Sequence, residues 1–147
     1  MIIPDLNLLI YAHNDGAPHH AAARRWWENL VNGTERIGVP WIVAAGFVRL
    51  MTHPKALERP ASPVAAVDYL HEWFRFPRVT PINPGADHLT YLRRNVDAAG
   101  VGANLVTDAH IAALAMEYQA EVHSNDADFG RFPGLRWRNP LGRPASS

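Results

Sequence analysis

Four aspartates in three separate segments are the side chains of this sequence best suited to chemistry. Asp5 follows a short apolar start, and Asp108 stands near the beginning of a later helical pattern. Asp126 and Asp128 lie close together after a further apolar segment. Hard cations prefer oxygen ligands, and Mg²⁺ is commonly held by one or two carboxylates together with water and substrate phosphates. The sequence therefore predicts a metal-dependent phosphodiesterase.

The segments around these acids alternate between short apolar strands and amphipathic helices. The pattern predicts strands over residues 2–3, 37–39, 78–80, 121–123 and 135–137. It predicts helices beside Asp5, around Asp108 and over residues 21–30, 42–51, 64–74 and 86–99. Such alternation is typical of an α/β fold with a short, mainly parallel sheet flanked by helices.

The predicted sheet gives the acids a common location. Parallel α/β sheets bind ligands outside the carboxyl ends of their strands. Asp5 and Asp126 each follow a predicted strand, and Asp108, near a helix start, can point to the same edge. Taken alone, an aspartate after a strand is more often a helix cap than a metal ligand, and Asp126 and Asp128 are more often turn residues. The prediction of a metal site rests on the three segments meeting at one edge of the sheet.

Capping residues and prolines mark several predicted helix starts. Ser62-Pro63 and Asn83-Pro84 each place a capping residue before a proline suited to the first helical position. Either Asn104 or Thr107 is expected to cap the helix that carries Asp108. The histidines His13, His19 and His20 fall in a predicted loop, so they are expected at the surface.

Composition limits the class of protein. The chain has 147 residues, of which 48% are hydrophobic, so one domain over residues 1–140 with a loose tail over 141–147 is expected. A formal net charge of zero argues against a strongly basic nucleic-acid binder but allows local basic patches. The absence of cysteine excludes disulfides and thiolate chemistry. Neither a signal peptide nor a membrane-spanning apolar run is predicted, so a cytoplasmic location is expected.

The motifs resemble those of the PIN domain, in particular the VapC toxins of bacterial toxin–antitoxin pairs. The similar segments occur in family order over residues 3–12, 47–54, 107–115 and 125–135, which together span nearly the whole chain. The resemblance implies a PIN fold and a Mg²⁺-dependent endoribonuclease, with Mn²⁺ as a substitute ion. It further implies a cognate, VapB-like antitoxin that holds the enzyme inactive, and a homodimer. The RNA that is cut and the identity of the antitoxin do not follow from the sequence.

The resemblance assigns roles to the aspartates. Asp5 and Asp108 would be metal ligands, and Asp126 would complete the catalytic acidic cluster. Asp128 would act as a neighbour of that cluster or as a substitute ligand.

Three further residues are candidates for substrate binding. Asn7, two residues after Asp5, could hydrogen-bond to an aspartate or to phosphate, and Thr107 could orient Asp108 or contact substrate. Arg49 would contact phosphate, fix an acid near the site or form a structural salt bridge. Outside this set, His110 is a weaker candidate for substrate contact.

One feature departs from the family pattern. Related chains usually carry a glutamate in the helix after the second strand, where this sequence has Gly46, and neither Asp nor Glu occurs from residue 36 to residue 55. The missing carboxylate would weaken metal binding or favour one metal over two, unless Asp128 compensates. A catalytically weak or inactive PIN-fold module that binds RNA or protein is therefore an alternative.

Two other interpretations bear on function. A phosphatase with an aspartyl nucleophile also begins with a strand and an aspartate, but it needs a second Asp two residues on and a nearby lysine. This chain has Asn7 at that position, and its single lysine, Lys55, lies in a distant segment.

The arginines after the acid pair, Arg131, Arg136 and Arg138, either guide RNA or are ordinary surface residues.

Overall fold

The computed structural model describes residues 1–100 and 102–142. Most of the expected loose tail, residues 143–147, lies outside the described residues. Within them the chain forms one five-stranded, wholly parallel sheet covered by helices, which confirms the predicted α/β class. No helix of this described part is long and apolar enough to cross a bilayer.

The strands lie in the order β3-β2-β1-β4-β5 across the sheet. Their bounds are β1 Ile2–Pro4, β2 Ile37–Pro40, β3 Val79–Ile82, β4 Glu121–His123 and β5 Trp137–Arg138. The α-helices are α1 Leu6–His13, α2 His20–Val31, α3 Trp41–Met51, α4 Pro63–Arg75, α5 His88–Ala99 and α6 Val106–Tyr118. Short 3-10 turns occupy Ala103–Leu105 and Ala127–Arg131.

The three central strands, β2, β1 and β4, each bury apolar side chains. Ile3, Ile37, Val39 and Val122 are completely buried, as expected for parallel strands covered on both faces. β1 pairs with β2 on one side and with β4 on the other, although about 120 residues separate β1 from β4 along the chain. The carboxyl ends of β1 and β4 are therefore neighbours, as the placement of Asp5 and Asp126 requires.

The prediction that His13 lies at the surface is wrong. Four aromatic rings surround its side chain: Trp27, Phe47, Tyr69 and Trp73. The indole N–H of Trp73 donates to His13 Nε2 at 3.0 Å, so Nδ1 carries the proton and donates to the Leu9 carbonyl at 2.8 Å. Burial lowers the pKa of His13 to about 4, so this partly buried ring is neutral at neutral pH.

Helix starts agree with the capping predictions only in part. Ser62 caps α4 by accepting from the Ala65 amide at 3.2 Å, as predicted. The start predicted at Asn83-Pro84 is wrong, because α5 begins at His88. Glu117 of α6 accepts hydrogen bonds from the backbone amides of residues 85 and 87 and so holds this segment outside the helix.

The helix that carries Asp108 lacks the predicted cap. Neither Asn104 nor Thr107 caps α6, because the 3-10 turn Ala103–Leu105 runs directly into it. Five consecutive residues of α6, 111–115, are buried. This helix is therefore enclosed on nearly all sides and holds Asp108 firmly at its first turn.

Candidate active site

Three carboxylates converge at the carboxyl edge of the sheet. Asp108, Asp126 and Asp128 are half-buried, and one oxygen of each lies within 4.8 Å of the others. Asp108 stands in the first turn of α6, whereas the other two belong to the turn that follows β4. Sequence reasoning had placed these acids at one edge, and the structure brings them together there.

Asp5 lies beside this group but is more deeply buried, with 6% of its surface exposed. It caps α1: its Oδ1 accepts from the Leu6 amide at 2.8 Å, and its Oδ2 accepts from the Ser124 hydroxyl at 2.7 Å. Its own amide donates to the carbonyl of His123 at 2.9 Å. Burial raises the pKa of Asp5, and the negative charge of Asp126 adds to the rise.

Ser124 joins the two halves of the site, and the sequence analysis missed it. This residue is completely buried. Its hydroxyl donates to Asp5 and accepts from the Asp126 amide at 2.9 Å, while Asp126 Oδ1 accepts from the Asp128 amide at 2.9 Å. A serine two residues before an aspartate at a strand end is a signal for such a turn. Its partner Asp5, however, is distant in sequence.

The cluster carries excess negative charge. The pKa of Asp108 is raised to about 7, mainly by burial and then by the charges of Asp5, Asp126 and Asp128. Within the described residues, one cation pairs with these acids: Arg131 Nε lies 3.0 Å from Asp128 Oδ1.

A divalent metal ion fits this site. Closely spaced carboxylates that raise one another's pKa are the donor set that such an ion neutralises. The three converging oxygens supply ligands of the type Mg²⁺ or Mn²⁺ requires. The side-chain oxygen of Asn125, between Ser124 and Asp126, is buried without a hydrogen-bond partner in the described structure.

The three residues expected to bind substrate are all exposed. Asn7 follows Asp5 on α1, and Thr107 precedes Asp108 on α6. Arg49, in the last turn of α3, is also exposed. It forms no ion pair within residues 1–100 and 102–142, so its salt-bridge alternative is not realised in the described structure.

Gly46, where the family glutamate is missing, lies close to the site. It is buried in α3 against α1, and a Cβ atom there would lie 2.8 Å from Leu6 Cδ2. Leu6 directly follows Asp5. The position that lacks the carboxylate thus lies in a close contact between α3 and α1. A side chain at residue 46 would fit there only if Leu6 moved.

His110 takes part in a separate polar network. Its Nδ1 lies 2.9 Å from Nε2 of the buried His88, whose Nδ1 lies 3.4 Å from a Glu117 oxygen. The His110 ring therefore connects α6 to α5, and its Nδ1 is occupied by the bond with His88.

Comparison with known proteins agrees with this geometry. The PIN domain family matches residues 2–135. Ribonuclease VapC33 of Mycobacterium tuberculosis is 42% identical over 141 residues, which cover 96% of this chain and 99% of the relative. Ribonuclease VapC37 of the same species is 41% identical over 140 residues, which cover 95% of this chain and 97% of the relative.

Two solved structures illustrate the shared fold. VapBC2 from Rickettsia felis, bound to a DNA fragment from its promoter, superimposes with a TM-score of 0.67 at 23% identity, covering 95% of this chain and 98% of that one. VapC20 of Mycobacterium tuberculosis, described as a toxin that cleaves the sarcin-ricin loop, gives 0.65 at 18% identity, covering 92% and 99%.

Proposed function

Since this chain belongs to the PIN domain family, we propose that it is an endoribonuclease that hydrolyses RNA phosphodiester bonds and acts as the toxin of a toxin–antitoxin pair. The convergence of Asp108, Asp126 and Asp128 at the sheet edge carries the proposal of catalysis. Relatives named VapC ribonucleases, similar over nearly the full length, support the substrate and the toxin role. The expected site of action is the cytoplasm, where RNA is made and translated.

We propose that Asp5, Asp108, Asp126 and Asp128 form the acidic site for Mg²⁺, with Mn²⁺ as a substitute. When bound, such an ion would polarise the phosphate and favour ionisation of water near neutral pH. Asp5 would hold the cluster together, because both of its oxygens are already hydrogen-bonded to the backbone or to Ser124.

Residues at the rim would position the RNA. The exposed side chains of Asn7 and Thr107 flank Asp5 and Asp108 and can hydrogen-bond to phosphate oxygens. The guanidinium of Arg49 can pair with a phosphate further along the strand.

The partners follow from the same assignment. A VapB-like antitoxin would inhibit the enzyme by placing a basic side chain against the acidic cluster, whose charge it would neutralise.

A homodimer is supported by the apolar side chains of Trp41 and Ile42, which are 51% and 42% exposed at the start of α3. We propose that residues 1–140 form one folded unit.

A catalytically weak or inactive binding module is the second candidate. One observation favours it: α3 carries Gly46 in place of the family glutamate, and no acid occurs from residue 36 to residue 55. RNA binding would then persist without cleavage.

RNA cleavage measured with Mg²⁺, with Mn²⁺ and with EDTA tests the proposal. Asp108→Asn and Asp126→Asn should each lower the rate by about 100-fold or more, because each removes an anionic ligand. Asp68→Asn removes the same charge from the exposed face of α4 and should leave the rate unchanged. A wild-type rate in Asp108→Asn would refute the acidic site, and wild-type protein that binds RNA but never cuts it would favour the binding module.

A further inference from the structure

A cleft of about 550 Å³ opens at the end of α6 opposite to the acidic site. α5 contributes Tyr91 and Arg94, Gln119 lies directly after α6, and the segment before β5 contributes Leu135 and Arg136. We propose that this cleft binds single-stranded RNA that continues from the cleavage site, with a base against Tyr91 and Arg94 and a phosphate on Arg136. The inference rests on the proposed ribonuclease function.

The charge of the cleft suits a nucleic acid. Arg94 and Arg136 line it, and none of its lining residues is acidic. Three arginines pair with carboxylates within the described residues, namely Arg24, Arg131 and Arg138. The two cleft arginines form no such pair there. The cleft therefore presents two arginines and no acid among its lining residues, in a chain of zero formal net charge.

The two arginines are arranged differently, and each arrangement fits part of a nucleotide. The guanidinium carbon of Arg94 lies over the ring of Tyr91, 5.4 Å from its centroid, and the two side chains form a cation–π pair. Aromatic rings and guanidinium planes are the surfaces on which single-stranded bases stack. Arg136 is fixed by donating from Nη2 to the Gln119 carbonyl, and a guanidinium has further N–H groups for a phosphate.

The cleft lies on the same face of α6 as Asp108. Ala115, which lines the cleft, follows Asp108 by seven positions, close to two full turns of α6. At 1.5 Å per residue, their separation along the helix axis is about 10 Å, a span that a few nucleotides can bridge.

The chain between the two sites provides a basic connection. The turn Ala127–Arg131 packs against α6, and the backbone continues from it to the cleft residues 133–136. Arg131 near the acids and Arg136 in the cleft are both exposed on this segment. An RNA strand that leaves the acidic site along it would pass Arg131, which is paired with Asp128, and then reach Arg136.

Binding of a fluorescently labelled single-stranded RNA of about twelve nucleotides, measured in EDTA so that it stays intact, tests the inference. The double variant Arg94→Ala/Arg136→Ala should bind about tenfold more weakly, and the slope of log affinity against log salt should fall by about 0.7, because the phosphate contact of Arg136 is lost. The control Arg75→Ala/Arg93→Ala removes two exposed arginines outside the cleft and should keep the wild-type slope. Equal slopes in the two double variants would overturn the inference.

Further measurements make the result specific. Arg94→Gln, which keeps a polar helix-forming residue, should weaken binding in the same direction, with folding checked by circular dichroism. A loss of oligoglutamate binding without any loss of RNA binding would make the cleft a protein-docking site and would also overturn the inference.

Cleavage measured separately distinguishes the two proposals. If wild type binds RNA with the cleft-dependent salt slope but cuts none, the ribonuclease proposal fails while the RNA site stands. If wild type cuts RNA and the double variant both cuts and binds like its control, only the cleft is refuted.

Discussion

At the scale of single residues, the site is built on hydrogen bonds that converge on Ser124. One hydroxyl connects Asp5 at the end of β1 with the backbone of Asp126 after β4. Because it donates to one residue and accepts from the other, the hydroxyl fixes the distance between the two acids. The cluster is thus preorganised before any cation arrives, which is what a metal site needs from the residues behind its ligands.

We predict that Ser124→Ala will impair metal binding beyond its effect on folding. The free energy of unfolding should fall by about 1–3 kcal/mol, because a carboxylate and an amide lose their partners in a buried position. The affinity for Mn²⁺, measured by calorimetry, should fall about tenfold or more.

Ser62→Ala is the matched control for Ser124→Ala. It removes the cap of α4, so it should cost about 1 kcal/mol of stability while leaving the Mn²⁺ affinity unchanged. If both serine variants lost stability and neither lost affinity, Ser124 would have a purely structural role.

His13 makes the stability of the fold depend on pH. Its pKa is lowered from 6.5 to about 4 in the folded protein, so the unfolded chain takes up the proton first as pH falls. Its contribution is fully present above about pH 6.5 and is lost as the pH falls towards about 4, which amounts to roughly 3 kcal/mol.

Urea unfolding between about pH 7 and pH 4 measures this effect. Wild type should lose stability steeply below about pH 6.5, whereas His13→Gln should be less stable at neutral pH but lose less on acidification. His71→Gln, at an exposed position of α4, should keep the wild-type profile. Parallel profiles for wild type and His13→Gln would contradict the assignment.

At the scale of elements, the contact between α1 and α3 sets what the site can contain. Gly46 lets α3 approach Leu6, the residue after Asp5. The same small residue that permits this contact leaves out the carboxylate usual in the family. Packing and metal chemistry therefore compete for one position.

We predict that Gly46→Glu will raise the affinity for Mn²⁺ relative to Gly46→Gln. Both variants place a Cβ atom 2.8 Å from Leu6 Cδ2, so both should lose a similar amount of stability, about 1–3 kcal/mol, as Leu6 moves. The glutamate alone adds a negative charge beside the acids. Calorimetry and cleavage rates compare the two, and an added acid that changes neither affinity nor rate would show that the missing carboxylate belongs elsewhere.

Local sequence patterns predicted most elements but not every boundary. Alternating apolar runs located all five strands, although β5 lies at Trp137–Arg138, shifted towards the C-terminus from the predicted 135–137. The start of α5 was missed because Glu117, which holds residues 85 and 87, lies about 30 residues away in sequence. His13 was misplaced for the same reason, since the Trp73 that encloses it belongs to another helix.

The acidic site was predictable only where local sequence patterns determine it. Strand–aspartate sequences indicated the sheet edge, and parallel topology brought Asp5 and Asp126 to it. The roles of Ser124 as a bridge and of Gly46 as a contact were not predictable, because each depends on a tertiary neighbour rather than on local spacing.

At the scale of the whole molecule, a single core connects all parts of the site. Buried side chains from both faces of the sheet form one contiguous cluster, which includes Trp26, Trp27 and Trp73. The elements that carry Asp5, Asp108 and Asp126 are all anchored in it. A destabilising substitution at one end of the core should therefore also disturb the acidic residues at the sheet edge.

We predict that the chain unfolds as one cooperative unit. Tryptophan fluorescence follows mainly the side of the core with Trp26, Trp27 and Trp73, whereas far-ultraviolet circular dichroism follows all helices. The two urea transitions should coincide, as expected for a single domain of this size. Two separated transitions would contradict the proposal that residues 1–140 are one folded unit.

The adjacency of β1 and β4 also has a consequence in time. The bond between Asp5 and Ser124 spans 119 residues, so the acidic site cannot assemble until both β1 and β4 have been made. At about 5–20 residues per second, roughly 6–24 s pass between synthesis of Asp5 and synthesis of Ser124. A growing chain without β4 has no assembled acidic site and is expected not to cleave RNA. The topology of the sheet thus delays the proposed activity, and an antitoxin already present has that interval before the site forms.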